Sequence, residues 1–580
     1  MRLVLIWLIG LSWVYTSASP PLLSTNDLHH LRQALDELIM TETDLSFDKD
    51  FGEHRYLMPD AMQVLKKPLV LPTIGDAYLE AVRENTLINL AMEKFGTNST
   101  VTLSDSPRTT QNEHIYFAAN FWSDTLQIDR YPEEIPIIKA AVSTFKNHRA
   151  SAIYEAQLAE PDTLDPEPSA KRTLALLDKM NVHSPITFLE MCEQLHHAKP
   201  NALPRLWTST NIIWGTMGND VYTNANSIII DPGGDDIYTG LAGVGFEGWS
   251  IIIDKGGNDQ YLGNGLLGPG SAVFGNSYIY DASGDDVYKC SHLGIASALG
   301  GFAHVEDVDG HDHYEAKAFA QGAAYAGLAT LIDRRGDDTY KLGYLGQAYA
   351  GVLGHGYLVD YAGNDTYLAG GHYIDHGHHE DRFMSMAQGF SIGMRPYAAG
   401  GIAALIDLGG NDFYKADVWG QAVSYWYALG MLIDADGNDT YSMYHYGQGS
   451  GIHLSSALLA DLGGNDFYTG YALAQGNAHD YAVGMLLDHA GNDHYTANHY
   501  SQGRGMTNGF GLLLDRKGMD GYFSVRCDRS QGIGSDGWQR EYGSIALLID
   551  ILGKNDIYSC GGKNNFKLVR PNHGVIYDAE

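Results

Sequence analysis

The chain has 580 residues, a formal net charge of −33 and a pI near 4.9. A polyanion of this kind is repelled by phosphate backbones, which argues against nucleic acid as a partner and leaves cations or neutral polymers. Hydrophobic residues at 44%, with 37 Tyr and 18 Phe, exclude a disordered chain, and 68 Gly fit a fold with many tight corners.

Residues 1–19 open with Arg2, run through an apolar stretch from Leu3 to Val14 and close on Thr16, Ser17, Ala18 and Ser19. That order is the pattern of a secretory signal peptide, and the apolar run is shorter than the ~20 residues of a spanning helix. No later stretch reaches that length, so no transmembrane segment is expected after signal removal. The mature protein is expected to be extracellular or periplasmic.

Residues 20–206 carry helical periodicity, first as Leu28, Leu31, Leu35, Leu38 and Ile39 behind the capping candidates Thr25 and Asn26. Further helices are expected over 76–94 and 137–158, and Ser184-Pro185 reads as an N-cap followed by Pro at the first helical position. This α-rich domain is expected to cap the first coil of the repeat array that follows, whose open strand edge would otherwise recruit other chains.

From residue 207 to 560 the motif D-x-x-G-x-D-x-Y returns thirteen times, with Gly215 in the leading slot of the first copy and one extra residue in the last, and with its second Asp at 220, 236, 259, 286, 312, 338, 365, 412, 439, 466, 493, 520 and 556. From Asp412 to Asp520 every interval is 27 residues. A fixed period of this length marks a solenoid. Nine residues after the marker Asp stands Gln321, Gln347, Gln421, Gln448, Gln475 or Gln502, and eighteen after it comes Gly356, Gly430, Gly484 or Gly511. Each coil therefore has three sides of nine residues. Runs such as Met431-Leu432-Ile433 are too short for helices and fit strands. The expected architecture is mainly β: a right-handed parallel β-helix roughly 60 Å long at ~4.8 Å per coil, with residues 561–580 as a C-terminal tail or cap.

The first and second Asp of the repeats supply 25 of the 70 acidic residues. Like carboxylates stacked at ~4.8 Å repel, so something must offset them. One answer is a hard cation such as Ca²⁺ held between coils, with Asp407, Asp412, Asp434, Asp439, Asp461, Asp466, Asp488 and Asp493 as ligands. The other is an Asx turn, in which each carboxylate accepts N–H groups of its own corner. The Gln set reads as an amide ladder and the Tyr set as stacked rings.

The stretch Asp461-Leu462-Gly463-Gly464-Asn465-Asp466-Phe467-Tyr468 resembles the calcium-binding nonapeptide repeats of the RTX, or haemolysin-type, secreted proteins at Gly464, Asp466 and Tyr468. That resemblance implies Ca²⁺ at the Asp corners. It covers one corner per coil, with Asp461 in place of the family's leading Gly and one nonapeptide per 27 residues.

The period is interrupted twice, by an interval of 36 residues from Asp520 to Asp556 and one of 47 from Asp365 to Asp412. The longer break holds His372, Asp375, His376, His378, His379, Glu380, Asp381 and Arg382, then Arg395-Pro396. Asp375 and His376, with His378, are candidate ligands of a transition metal, against a solvated polar loop as the plain alternative. Four cysteines are too few for a disulfide framework, and a Cys527–Cys560 bridge is possible without being implied by register.

Two function classes follow. One is a binding or structural protein of the cell exterior, presenting one repeated face. The other is a polysaccharide-active lyase or hydrolase, by analogy with the architecture of pectate-lyase-like β-helices, whose partner would be an extracellular glycan or cell-surface polymer. In the latter, His378 or Glu380 would act as acid or base, and Arg382 and Arg395 would pair substrate carboxylates.

Overall fold

The apolar run that ends at the first Asp of each repeat forms one strand per coil, and these strands pair in parallel in strict register: Leu432 faces Leu405 and Leu459, and Asp434 faces Asp407 and Asp461. The computed structural model describes residues 20–47, 55–96, 177, 185–196, 212–224, 226–263, 265–377, 379–535 and 543–579. The signal segment, the helix expected over 137–158, Ser184 and His378 lie outside them.

The strands assemble into a parallel β-solenoid with three long sheets of 15, 16 and 10 strands. The first sheet holds the apolar runs, such as Leu429–Asp434. The second begins one residue before the marker Tyr, as in Thr440–Gly447, and the third follows the Gln corner, as in Ser450–Ile452. The rod ends in a hairpin, where Lys567–Arg570 pairs antiparallel with Gly574–Ala579.

The residues that recur in every repeat explain the corners. The marker tyrosines from Tyr222 to Tyr558 point inward and stack in one column, with ring centroids 4.5–5.0 Å apart and planes within 18°. Facing them is a column of aliphatic side chains, including Ile252, Leu331, Leu432, Leu486 and Leu548. The Gln residues are buried at positive φ, where Gln448 Nε2 donates to Tyr441 O and to Thr469 O in the next coil. A left-handed backbone is unfavourable for Gln, and the capped carbonyls offset it. Gln388 and Gln531 continue this set through the two irregular coils. The motif Gly is set by stacking: at Gly464, φ is +156° and a Cβ would lie 1.5 Å from Gly437 O.

The first sheet is buried on both faces, and among the described residues five α-helices provide its outer cover. They are α1 (Thr25–Glu37), α2 (Pro59–Lys66), α3 (Leu71–Arg83), α4 (Leu87–Gly96) and α5 (Pro185–His196). The cap of α1 is Ser24, in a capping box with Asp27, one residue ahead of the expected Thr25. The segment expected as one helix over 76–94 is two, α3 and α4, broken where Asn85 takes a positive φ.

These helices lie along the rod. α1 packs on the last two parallel strands of the first sheet, Ile545–Ile551 and Gly574–Ala579; α3 packs on Leu429–Asp434 and Ser456–Asp461; α5 packs on Trp249–Ile253 and Asn276–Asp281. Polar ties pin the seam. Arg516 pairs with buried Asp27 and donates to Leu22 O at 3.0 Å, Tyr361 Oη donates to Val82 O at 2.8 Å, and Arg334 donates to Asn85 Oδ1 at 2.8 Å. The described helices thus cover the length of one sheet, where the sequence suggested a cap on the first coil.

Candidate metal centre

Each motif after the first, which has Gly215 in the leading slot, places two aspartates at the corner between the first and second sheets, and the pleat turns both inward. The first Asp closes an Asx turn: Asp461 Oδ1 accepts the N–H of Gly463 at 3.0 Å. Its Oδ2 accepts the phenol of the preceding coil, Tyr441, at 2.8 Å. The same two bonds recur at Asp254, Asp281, Asp333, Asp360, Asp407 and Asp434. The Asx-turn expectation therefore describes the first Asp.

The marker Asp does something else. Its Oδ1 accepts the backbone N–H of the marker Asp one coil earlier, at 2.5–2.8 Å throughout the array, as Asp466 does from Asp439 N. Its Oδ2 is buried without a hydrogen-bond partner at Asp236, Asp259, Asp286, Asp312, Asp338, Asp365, Asp412, Asp439, Asp466, Asp493 and Asp520. An orphaned buried carboxylate oxygen costs of order 1–3 kcal/mol or more, and here it recurs coil after coil.

Carboxylate oxygens also converge. Among the described residues, Asp triples have oxygens within 4.8 Å of one another, beginning with Asp220, Asp231 and Asp236, then Asp236, Asp254 and Asp259, and continuing through Asp312, Asp333 and Asp338. Two charges at that distance repel by about 3–4 kcal/mol at an effective dielectric of ~20. Burial, reinforced by neighbouring aspartates, pushes the marker carboxyls up: Asp439 to about 8, and Asp412 to about 9 beside Asp407 and Asp439. The first-position carboxyls Asp434 and Asp488 are raised as well, again by burial first.

The donor set, all carboxylate oxygen with one oxygen per coil unclaimed, fits a hard divalent cation. Asp407, Asp412, Asp434, Asp439, Asp461, Asp466, Asp488 and Asp493 all belong to this column. A bound cation would supply the charge balance that the protein's own side chains do not. The exposed Asn between the two aspartates forms a separate ladder: Asn438 Nδ2 donates to Asn411 Oδ1 and Asn465 Nδ2 to Asn438 Oδ1, each at 2.9 Å.

The long break opens in two places within one coil. One excursion, between Ala369 and Met384, precedes the Gln388 corner, and a shorter one over 393–400 follows it. The first builds a hairpin in which Ile374–Asp375 pairs antiparallel with His379–Ala387. Asp375 is buried there, whereas His376 and Glu380 are exposed. Arg382 lies over the Tyr444 ring at 4.1 Å. Arg395 is placed elsewhere, 5.4 Å from the Trp426 centroid and donating to Tyr425 Oη at 3.2 Å.

The two arginines expected to clamp a substrate thus pack against different sheets. The structure adds His445, which sequence spacing did not mark because it lies 66 residues from its partner, His379. Cys527 and Cys560 are bridged, with Cα atoms 5.1 Å apart. Among the described residues no helix is long and apolar enough to cross a membrane. No protein-family model, curated protein or solved structure matches this chain.

Proposed function

We propose that this chain is a secreted structural or binding protein of the cell exterior, a rod held rigid by a column of Ca²⁺ ions at its Asp corner. The observation that carries this reading is the run of eleven buried marker carboxylates, Asp236 to Asp520, each with an oxygen that no donor reaches. Two aspartates per coil balance one divalent ion per coil, so a filled column is neutral without the protons that an empty one must retain on its raised carboxyls. Ca²⁺ is the ion favoured, because it accepts irregular all-oxygen shells that Mg²⁺ does not. The Cys527–Cys560 bridge supports an oxidising compartment.

Nearly every recurrent side chain is spent on holding coils together, which favours a scaffold over an enzyme. Arg382 over Tyr444 and Arg395 beside Trp426 pack against different sheets, which weighs against a polysaccharide-cleaving centre that uses both. Elemental analysis of protein dialysed against Ca²⁺ and passed through a desalting column tests the reading. Several Ca²⁺ per chain, with a melting temperature that falls in chelator, is the expected result. A metal-free protein whose melt ignores both Ca²⁺ and chelator overturns it.

A further inference from the structure

The geometry points to a transition-metal site at the base of the hairpin, formed by His379 and His445 with the carboxylate of Asp375, distinct from the Asp column. His379 begins the strand that re-enters the second sheet, His379–Ala387. That strand pairs with Val418–Gly420, which in turn pairs with Thr440–Gly447, the strand of His445. The two imidazoles meet across this stack, with His379 Nε2 3.1 Å from His445 Nδ1.

Two imidazole nitrogens bound to one tetrahedral ion at ~2.0–2.1 Å are separated by about 3.3 Å. The observed separation is within the ~0.2 Å tolerance of such sites. Both rings are held by aromatic neighbours: Tyr444 stands edge-on to His379 at 5.1 Å, and Tyr446 lies 4.4 Å from His445. Arg382 over the Tyr444 ring fixes the first of these neighbours in turn. The ligands are therefore placed before an ion arrives.

Asp375 supplies the anionic donor. It is 2% exposed and stands opposite His379 in the hairpin register. Two imidazoles and a carboxylate suit Zn²⁺, Co²⁺ or Ni²⁺ in preference to Ca²⁺, with water completing the shell. The competing account is a plain N–H···N hydrogen bond between neutral rings, which needs no ion.

The test is Co²⁺ titration of the full chain in saturating Ca²⁺, followed by the visible absorption of low-coordinate Co²⁺ and by calorimetry with Zn²⁺. One Co²⁺ per chain is expected, with affinity falling by more than about tenfold in His379→Ala and His445→Ala. The exposed His376→Ala should bind as the parent does. Both ligand histidines are half-buried on the outer face, and His379→Gln, which keeps bulk and polarity, is the second variant should an alanine disturb the strand. Absence of Co²⁺ binding by the parent, or parental affinity in His379→Gln or His445→Ala, overturns the proposal. Because the column is already filled with Ca²⁺, that result leaves the reading of the Asp ladder untouched.

Discussion

The phenol of Tyr441 donates to Oδ2 of Asp461 at 2.8 Å, joining the aromatic column of one coil to the carboxylate column of the next. Both groups are fully buried. The bond is one reason the repeat specifies Tyr where Phe would stack equally well. Tyr441→Phe should therefore cost about 1–2 kcal/mol, the price of leaving a buried acceptor without its donor. Urea unfolding with and without the substitution measures this, and an unchanged midpoint would show that the ring alone matters.

The raised carboxyl pKa values set the pH dependence of metal-free protein. Burial lifts Asp338 to about 6, Asp520 to about 7 and Asp439 to about 8, all above the ordinary value of 3.8. A carboxyl whose folded pKa is raised binds its proton more tightly in the folded state, so stability falls as pH climbs from about 4 through these values. In chelator the melting temperature should be highest in mild acid and decline steadily towards pH 8. Saturating Ca²⁺ should flatten that slope by replacing protons on the same oxygens. A melting temperature that rises with pH in chelator contradicts the assignment.

The stacking constraint on the motif Gly can be read with two alanines. Gly464→Ala would place a Cβ 1.5 Å from the Gly437 carbonyl at a φ of +156°, whereas at Gly265 an added Cβ meets nothing within 4 Å. The first should lose about 3 kcal/mol or more, and the second should stay within about ±0.5 kcal/mol. Thermal melts of the two variants give the comparison directly.

The coil was legible because its period, its three nine-residue sides and its inward Tyr and Gln recur in sequence. Each recurrence corresponds to one stacked column in space. The lengthwise helical cover was present in the sequence but went unread. Met431-Leu432-Ile433 and Leu512-Leu513-Leu514 are apolar at every position, and a strand without alternation is one buried on both faces. Gln388, 23 residues after Asp365, marks where the broken coil resumes and divides the insertion in two. Nothing in the sequence pairs His379 with His445, because that contact depends on how the hairpin strand re-enters the sheet. Nor does spacing tell which of two carboxylates in a corner is satisfied; that follows from the direction of backbone N–H groups.

One of the ties across the seam between helices and rod is a buried ion pair at α1. Arg516 meets Asp27, which is 1% exposed, and also reaches Leu22 O. Arg516→Ala would strand that carboxylate in the seam at a cost of about 3–5 kcal/mol. Limited proteolysis should then cut near α1 while the solenoid stays intact, and a digestion pattern like the parent's would show that the pair is dispensable.

Removing the cover altogether has a different consequence. The outward side chains of the first sheet, among them Ile253, Phe302, Leu328, Met431, Ile433 and Leu458, are buried in the core they share with the helices. A chain beginning at residue 207 keeps every ladder bond, every stacked Tyr and the whole Asp column, so its strands have the means to form. It would nevertheless present an apolar stripe running the length of the rod, far beyond the few hundred Å² that soluble monomers expose. Such a chain is expected to give a strand-rich circular dichroism spectrum and to elute as large assemblies in size-exclusion chromatography. A peptide spanning residues 20–96, added in trans during refolding, should restore part of the smaller species. A truncated chain that elutes as a clean monomer would mean that the helices are an accessory to the rod and not one of its walls.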